Sequence, residues 1–406
     1  MTMALLPVSE ALARLLDGAE PSGAESVALA EAGGRVLSEP LAALRTQPPF
    51  DASAMDGYAV RAADIARVPA QLMVIGAAAA GTPFDGAVGP GEAIRIFTGA
   101  AVPAGADTIA IQENVDALDG GAIAVRETTA AGRHIRRKGL DFAEGDALLE
   151  AGRLLDPAAL SLAASANHPT LRLFRRPLVA IIATGDELLP PGSATRPGQI
   201  ISSNSFGVAA ISAGAGARIL DLGIAPDRVD ALSAKVRTAL EAGADIILTL
   251  GGASVGDHDL VREALNGLGM SLDFWKIAMR PGKPLMYGRL GAQHVIGLPG
   301  NPVSSLICTR LFVVPLVRAL LGLPASVDRI IEARTTDPLA ANGARAHYMR
   351  ATSSLGRDGT LEVTPIASQD SSLMRPLSEA DCLVVRPIGS PAVAAGATIP
   401  ILMLDF

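Results

Sequence analysis

The sequence predicts a multidomain α/β plus β chain. Its centre is a doubly wound, mainly parallel α/β domain, joined by two smaller β domains and a small discontinuous helical domain. Three observations carry this. At 406 residues the chain exceeds what one hydrophobic core usually organises. Between about residues 174 and 325 short apolar runs alternate with longer amphipathic ones. On both sides of that region the sequence turns rich in Gly, Pro and short β-like runs.

Taken in order, residues 1–42 and 142–173 read as helical, the latter around "DPAALSLAASA", and form the discontinuous domain. Residues 43–141 read as a β domain through "QLMVIGAA", "EAIRIFTG", "DTIAIQE" and "AIAVRE". In residues 174–325, "PLVAIIAT", "ARILDLGIA", "DIILTL", "SLDFWKIAM", "PLMYGRL" and "QHVIGL" read as strands. Between and after them "SNSFGVAAISAGA", "RVDALSAKVRTALEAG", "LVREALNGL" and "VSSLICTRLFVVPLVRALLG" read as helices. Nearly continuous apolar strands separated by helices imply a sheet covered on both faces. Residues 326–406 return to β character with "RIIEARTT", "HYMRATS", "LEVTPIAS", "DCLVVRP" and "TIPILML", expected as a C-terminal barrel-like domain.

Composition narrows the function. A formal charge of −7 gives no global attraction to nucleic acid or to an anionic membrane, so an anionic ligand needs a local site. The long uncharged stretches 197–217 and 387–404 are broken by Gly, Pro, Ser or Asn and do not read as membrane spans. Cys308 and Cys382 are the only cysteines, which suits two buried free thiols in a reducing compartment. The N-terminal "MTMALLPVSEALARLL" lacks the unbroken apolar stretch of a signal peptide, so the expected location is the cytoplasm. Only four lysines occur, Lys138, Lys235, Lys276 and Lys283, among many arginines. A retained Lys can mark a place that needs a compact ammonium.

In open parallel sheets ligands bind outside the carboxyl ends of the strands. Four strand ends here run into polar, glycine-rich segments: "GDEL" after "IIAT", "GGASVGDHD" after "DIILTL", "RPGKP" after "FWKIAM", and "PGNPVS" after "HVIGL". Gly251, Gly252 and Gly256 would let backbone amides approach an oxyanion, with Ser254 and Ser304 adding hydroxyls. Arg280 and Lys283 bring positive charge to the same edge. Asp186, Glu187, Asp227, Asp257 and Asp259 stand opposite, and such a set of carboxylates beside a phosphate calls for a hard cation, Mg2+ being the natural choice. Each segment has a plainer reading too. Gly-rich turns are common, Asp257 or Asp259 alone could cap a helix, and His258 reads as a solvated turn residue. The five histidines show no zinc-ligand spacing.

Two further segments read blandly on local grounds. "PPFDASAMDGYAV" carries Asp51 and Asp56 and fits a β-turn with Asp-Gly at its corner. "GRHIRRKGLDF", with Arg133, Arg136, Arg137 and Lys138 before Asp141, fits a solvated basic loop. Arg350 in "HYMRA" and the Ser371–Ser372 pair could serve an anion, although nothing local requires it.

Together these segments resemble a family. "SAMDGYAV", "RIFTGAAVPAGADTI", "GRHIRRKGLDF", "TGDEL", "GGASVGDHD", "RPGKPL" and "GLPGNPVSS" occur in the order seen in the molybdopterin molybdenumtransferases, MoeA and the gephyrin E domain. "TGDEL" and the GGxSxG loop are shared with smaller adenylyltransferases of the same pathway and with CinA-like proteins; the other motifs are more specific. The resemblance spans essentially the whole chain and implies a four-domain homodimer with a MogA-like central domain. It implies insertion of molybdate into adenylylated molybdopterin, with a divalent cation and release of AMP.

By this resemblance Asp227 and Asp259, supported by Glu187, serve the metal and nucleotide phosphate. Arg280, Lys283, Ser304, Arg350 and Ser371 hold molybdate, while Gly251, Gly252, Ser254, Gly256 and Lys276 bind molybdopterin or AMP. Asp56, Thr98, Arg136 and Asp141 are expected from the partner subunit, which turns the two bland segments into site segments. Many members carry Lys where this chain has Arg280, which leaves molybdate against tungstate open. A molybdopterin adenylyltransferase is a possible partner. The competing functions are that adenylyl transfer itself and a non-enzymatic scaffold. The motifs outside the central domain argue against the first. Against the second stands the acidic set Glu187, Asp227 and Asp259.

Overall fold

The computed structural model describes residues 5–251, 260–325 and 330–406. The chain packs as two units: Met1–Glu25 with Gly34–Ser38 and Arg172–Phe406, and Ser26–Gly33 with Glu39–Leu171.

In the first unit, helix α1 (Val8–Leu16) precedes an α/β core. The core runs β1 (Leu178–Thr184), α2 (Asn204–Gly214), β2 (Arg218–Ala225), α3 (Val229–Glu241), β3 (Ile246–Leu250) and α4 (Leu260–Gly267). It continues with β4 (Ser271–Trp275), β5 (Met279–Arg280), β6 (Met286–Leu290), β7 (Gln293–Leu298) and the long helix α5 (Pro302–Leu320). Six strands form one sheet in the order β2-β1-β3-β7-β6-β4. The pairs β1–β2, β1–β3 and β3–β7 are parallel, while β6–β7 and β4–β6 are antiparallel.

The continuous apolar strand runs follow from burial on both faces. Val179, Ile181 and Ala183 of β1 join a core with α1, α2 and α5. Their neighbours Leu178, Ala180 and Ile182 point the other way, onto α3 and α4. α5 is apolar and long enough to cross a membrane, but 89% of its apolar window is buried, as for a core helix.

The same unit ends in β8 (Ile330–Thr335), β9 (Ala346–Leu355), β10 (Leu361–Pro365), α6 (Met374–Glu379), β11 (Cys382–Arg386) and β12 (Thr398–Met403). Strands pair in the order β9-β10-β8-β12-β11, and β11 returns to β9, closing a barrel around Ala351, Val363, Val384 and Ile401. Cys308 and Cys382 are free and buried, and burial pushes both thiols up, Cys382 to about 12.

One expected strand is two. Lys276 adopts φ 73°, so "SLDFWKIAM" stops pairing in the α/β sheet at Trp275. Met279–Arg280 then pairs with Ala346–His347 of β9, so Arg280 belongs to the C-terminal sheet.

In the second unit six strands form a mixed sheet: Gly57–Val60, Ala70–Ala78, Glu92–Ile96, Thr108–Ile111, Val115–Ala117 and Ala122–Val125. Two apolar clusters line it, one around Ile94, Ile96 and Ile109 and one around Leu72, Ile123 and Val125. The segments read as helical contribute one nine-residue helix each, α1 to the first unit and Pro157–Ser165 to the second. Asp156 caps the latter, its Oδ1 accepting from the Ala159 N–H at 2.8 Å with proline at the first turn.

Candidate active site

Parallel strands β1, β2, β3 and β7 release the chain at one edge of the sheet, and a cleft of about 880 Å³ opens there. After β1 it is lined by Gly185 and Glu187, after β2 by Asp227, after β3 by Gly251, and after β7 by Gly300, Asn301 and Ser304. Lys283 and Pro284 complete that side. Gly251 has φ 94°, and a Cβ there would stand 2.9 Å from the Thr184 carbonyl oxygen, so glycine is needed where two strand ends crowd together. Asp186 and Asp227 brace each other. The Asp227 N–H donates to Asp186 Oδ1 at 3.0 Å, and the Asp186 N–H to Asp227 Oδ2 at 3.4 Å. Both are exposed, as is Glu187.

A second cavity of about 490 Å³ shares Lys283, Pro284, Asn301 and Ser304 with the first. Its other walls include Arg280, Arg345, Gln369, Asp370 and Ser371. The Ser371 hydroxyl accepts from Asn301 Nδ2 at 2.9 Å, and the Ser371 carbonyl accepts from the Val303 N–H at the start of α5. The structure thus brings Glu187, Asp227, Gly251, Arg280, Lys283, Ser304 and Ser371 into two adjoining cavities.

Arg350 lies elsewhere. It is 1% exposed, and its guanidinium donates to the carbonyls of Ser368, Asp370 and Leu373 at 2.8 to 2.9 Å, beneath the loop that carries Ser371. Lys276 lies outside both linings, its Nζ 3.9 Å from the centre of the Trp275 ring. Arg345 is the residue that sequence reasoning missed. It is a lone arginine in a loop, and only its place beside β9 brings it to the second cavity. His347 nearby is driven down to about 4 by burial and by Arg280, Arg345 and Arg386.

The second unit holds its own constellation. Asp56 Oδ1 accepts from the Thr98 N–H at 2.7 Å and from its hydroxyl at 2.8 Å. These bonds, the backbone one first, hold the Asp56 carboxyl below the usual aspartate value. Ile135–Arg136 pairs antiparallel with Ala52–Ser53, which sets exposed Arg136 alongside "SAMDGYAV". Arg137 and the Lys138 N–H bind Asp51 at 2.6 and 2.8 Å, so part of the basic run is neutralised locally. Asp141 is exposed, its N–H bonded to the Gln47 carbonyl at 3.0 Å.

Gly252, Ser254, Gly256, Asp257, His258 and Asp259 lie outside the described residues. Among the described residues no three His, Cys, Asp or Glu side chains gather as a metal cluster.

A mixed α/β sheet with an acid-edged cleft at the carboxyl ends of its parallel strands, adjoining a cation-lined cavity beside a small barrel, places the chain among the α/β proteins whose ligand cleft lies at the sheet edge. Within that class the chain is a member of the MoeA family. Residues 6–167 match the MoeA N-terminal region (domain I and II), 180–319 the probable molybdopterin binding domain, and 332–404 the MoeA C-terminal region (domain IV). The chain is 34% identical to a molybdopterin molybdenumtransferase of Haemophilus influenzae, with 98% of each chain covered. It is 35% identical to a molybdopterin molybdenumtransferase of a Nostoc species, with 94% and 88% covered. The structure superposes on the molybdopterin biosynthesis MoeA protein of Pyrococcus horikoshii with a TM-score of 0.84 at 29% identity, covering 98% of this chain and 99% of that one.

Proposed function

We propose that this chain is a molybdopterin molybdenumtransferase that inserts molybdate into adenylylated molybdopterin, releasing AMP and forming molybdenum cofactor. The observation that carries this reading is the pair of adjoining cavities, one edged by carboxylates and one by cations, with Lys283 and Ser304 in both. The acid-edged cleft suits the nucleotide and pterin, with Gly251 giving backbone access. Its neighbour suits a tetrahedral dianion, which Arg280, Lys283, Ser304 and Ser371 would hold while its oxygens are exchanged for dithiolene sulfurs. Positioning and charge complementarity then suffice without a covalent nucleophile.

Glu187 and Asp227 present carboxylate oxygens on one cleft, a donor set that suits Mg2+ with waters filling the remaining positions, and Asp259 is the third expected ligand. Bound there, the cation would polarise the phosphoanhydride and stabilise departing AMP. Gly252, Ser254 and Gly256 complete the proposed molybdopterin and AMP contacts, while Lys276, outside both linings and on the Trp275 ring, would reach the ligand only by leaving that ring. Arg350 supports molybdate binding through the loop that carries Ser371. The chain works as a cytoplasmic homodimer, Asp56, Thr98, Arg136 and Asp141 being supplied by a second copy. A molybdopterin adenylyltransferase hands it the substrate. The four-part division at about residues 42, 141, 173 and 325 belongs to the same proposal.

The test is AMP release from adenylylated molybdopterin by the purified protein, with and without molybdate and magnesium. Release that needs both supports insertion. Consumption of ATP without molybdate would instead favour adenylyl transfer. Mixing Asp56→Ala with Asp227→Ala tests the second copy's part: exchanged dimers should regain about a quarter to a half of wild-type turnover, in line with one intact site among mixed dimers.

A further inference from the structure

We propose that Arg95 is a positioning residue for Asp56, fixing the stretch of chain that presents the Asp56 carboxylate to the reaction. The inference rests on the insertion reading, which gives Asp56 a place in the site, and names the side chain on which that place depends. All the residues involved belong to the second unit. Arg95 stands on the strand Glu92–Ile96, directly across from Tyr58, while its neighbour Ile96 pairs with Gly57. The ladder therefore sets Arg95 beside the segment that carries Asp56.

The guanidinium is held by two rings and two oxygens. Its carbon stands 5.0 Å from the centre of the Tyr58 ring and 5.0 Å from that of Phe97. Nη1 donates to the Gly57 carbonyl at 3.1 Å, and Nη2 donates to the side-chain oxygen of Gln112. Gln112 in turn gives its backbone N–H to the Asp56 carbonyl at 3.0 Å. Thr98, next in the chain after Phe97, holds the Asp56 carboxylate with its N–H and hydroxyl. The backbone of Asp56 and Gly57 and the residue that grips the carboxylate are thus joined to one side chain.

A purely structural peg at this place would not need a charge. Two rings can pack on Leu or Met, whereas a half-buried cation carries a desolvation cost. Arg95 has no ion pair among the described residues, so no contacting carboxylate cancels its charge. That charge is felt at Asp56, whose carboxyl is lowered by the Thr98 bonds first and by Arg95 after them. A lysine would supply the charge without the planar fork, which lies on two rings while donating to two oxygens. Geometry and field therefore act together on one exposed carboxylate.

The experiment is a double-mutant cycle on the full chain, with AMP release read for Arg95→Ala, Asp56→Ala and the two combined. Arg95→Ala should lower kcat about tenfold or more, with half-saturation for molybdate within about twofold. On the Asp56→Ala background the same change should cost less than about twofold, because the carboxylate it positions is gone. Arg95→Lys should stay within a few-fold of Arg95→Ala. Losses that multiply in the double variant overturn the proposal, since Arg95 would then act independently of Asp56. Wild-type turnover in Arg95→Ala beside a disabled Asp56→Ala also overturns it and leaves the insertion reading standing. If the wild type releases no AMP, or Asp56→Ala keeps full turnover, it is the insertion reading that fails at Asp56. Positioning is then decided by NMR alone: Arg95→Ala should shift the Thr98 amide and raise the Asp56 pKa towards the ordinary aspartate value. No change in either would overturn it. Should Arg95→Ala not fold, Gln112→Ala, which removes one anchor of the guanidinium and keeps the N–H to Asp56, is judged by the same criteria.

Discussion

Arg350 shows how a single cation can serve a site without facing it. Its guanidinium answers three carbonyls of residues 368–373 from a position that is 1% exposed. Arg350→Met would remove the one donor shared by those carbonyls, which belong to an exposed loop and can turn to water, so the cost is about 1–3 kcal/mol in all. We expect a loss of that size in urea unfolding, with turnover falling as Ser371 loses its support. A variant with wild-type stability and only weaker molybdate binding would instead make Arg350 a direct ligand. Asp56 behaves in the opposite way, as an exposed carboxylate tuned by its neighbours. Its folded pKa is depressed, so its bonds to Thr98 persist above the ordinary aspartate value and are lost as the pH falls through the lower folded one. Thr98→Val removes the hydroxyl and keeps the N–H. The pKa read from the Asp56 carboxyl carbon by NMR titration should then move part of the way back towards the ordinary aspartate value. No movement would assign the whole shift to the backbone bond.

At the level of elements, Gly57 separates what the sequence displays from what it conceals. "DGYAV" reads as a turn because Asp-Gly favours turns, yet Gly57 opens a strand, and a Cβ there would stand 2.1 Å from the Ala110 carbonyl oxygen. Gly57→Ala must push two paired strands apart. We expect about 1–3 kcal/mol of destabilisation by calorimetry, and displacement of Asp56 that costs turnover. Wild-type stability would mean that the strand pair gives way freely. The α/β elements were legible because strands buried on both faces must be apolar throughout, as β1 and β3 are. Their polar exits were legible because a crowded sheet edge needs glycine and a ligand needs charge. The break after Trp275 was not, since nothing in "FWKIAM" announces a left-handed lysine. Arg345 was equally hidden: its significance depends on a pairing with Met279–Arg280 across more than sixty positions of the chain.

For the whole molecule the telling variable is pH, because the two strongly shifted histidines of the described residues, His294 and His347, both lie in the first unit. His294 is 3% exposed and sits at the start of β7. Its Nε2 accepts from Arg289, so Nδ1 carries the proton and donates to the Tyr287 oxygen at 3.0 Å. The Tyr287 hydroxyl can then donate to the Leu15 carbonyl at the end of α1, which makes the neutral imidazole the joint of a chain from sheet to helix. Burial first, and Arg289 second, lower its pKa from 6.5 to about 4. The unfolded chain therefore takes up a proton at a higher pH than the folded one. The stabilisation is fully present above about pH 6.5 and is lost as the pH falls towards 4, by a total on the order of 3 kcal/mol. His347 acts in the same direction over the same window. Acid should thus weaken the first unit more than the second, and a melt that is one transition at neutral pH should separate into two near pH 5, the earlier one carrying the loss of the α/β core. His294→Gln, which cannot take up the proton, should flatten the pH dependence of that earlier transition even if it lowers stability at pH 7. A single transition at every pH, or an unaltered slope in the variant, would show that His294 is not the group through which acid reaches the core.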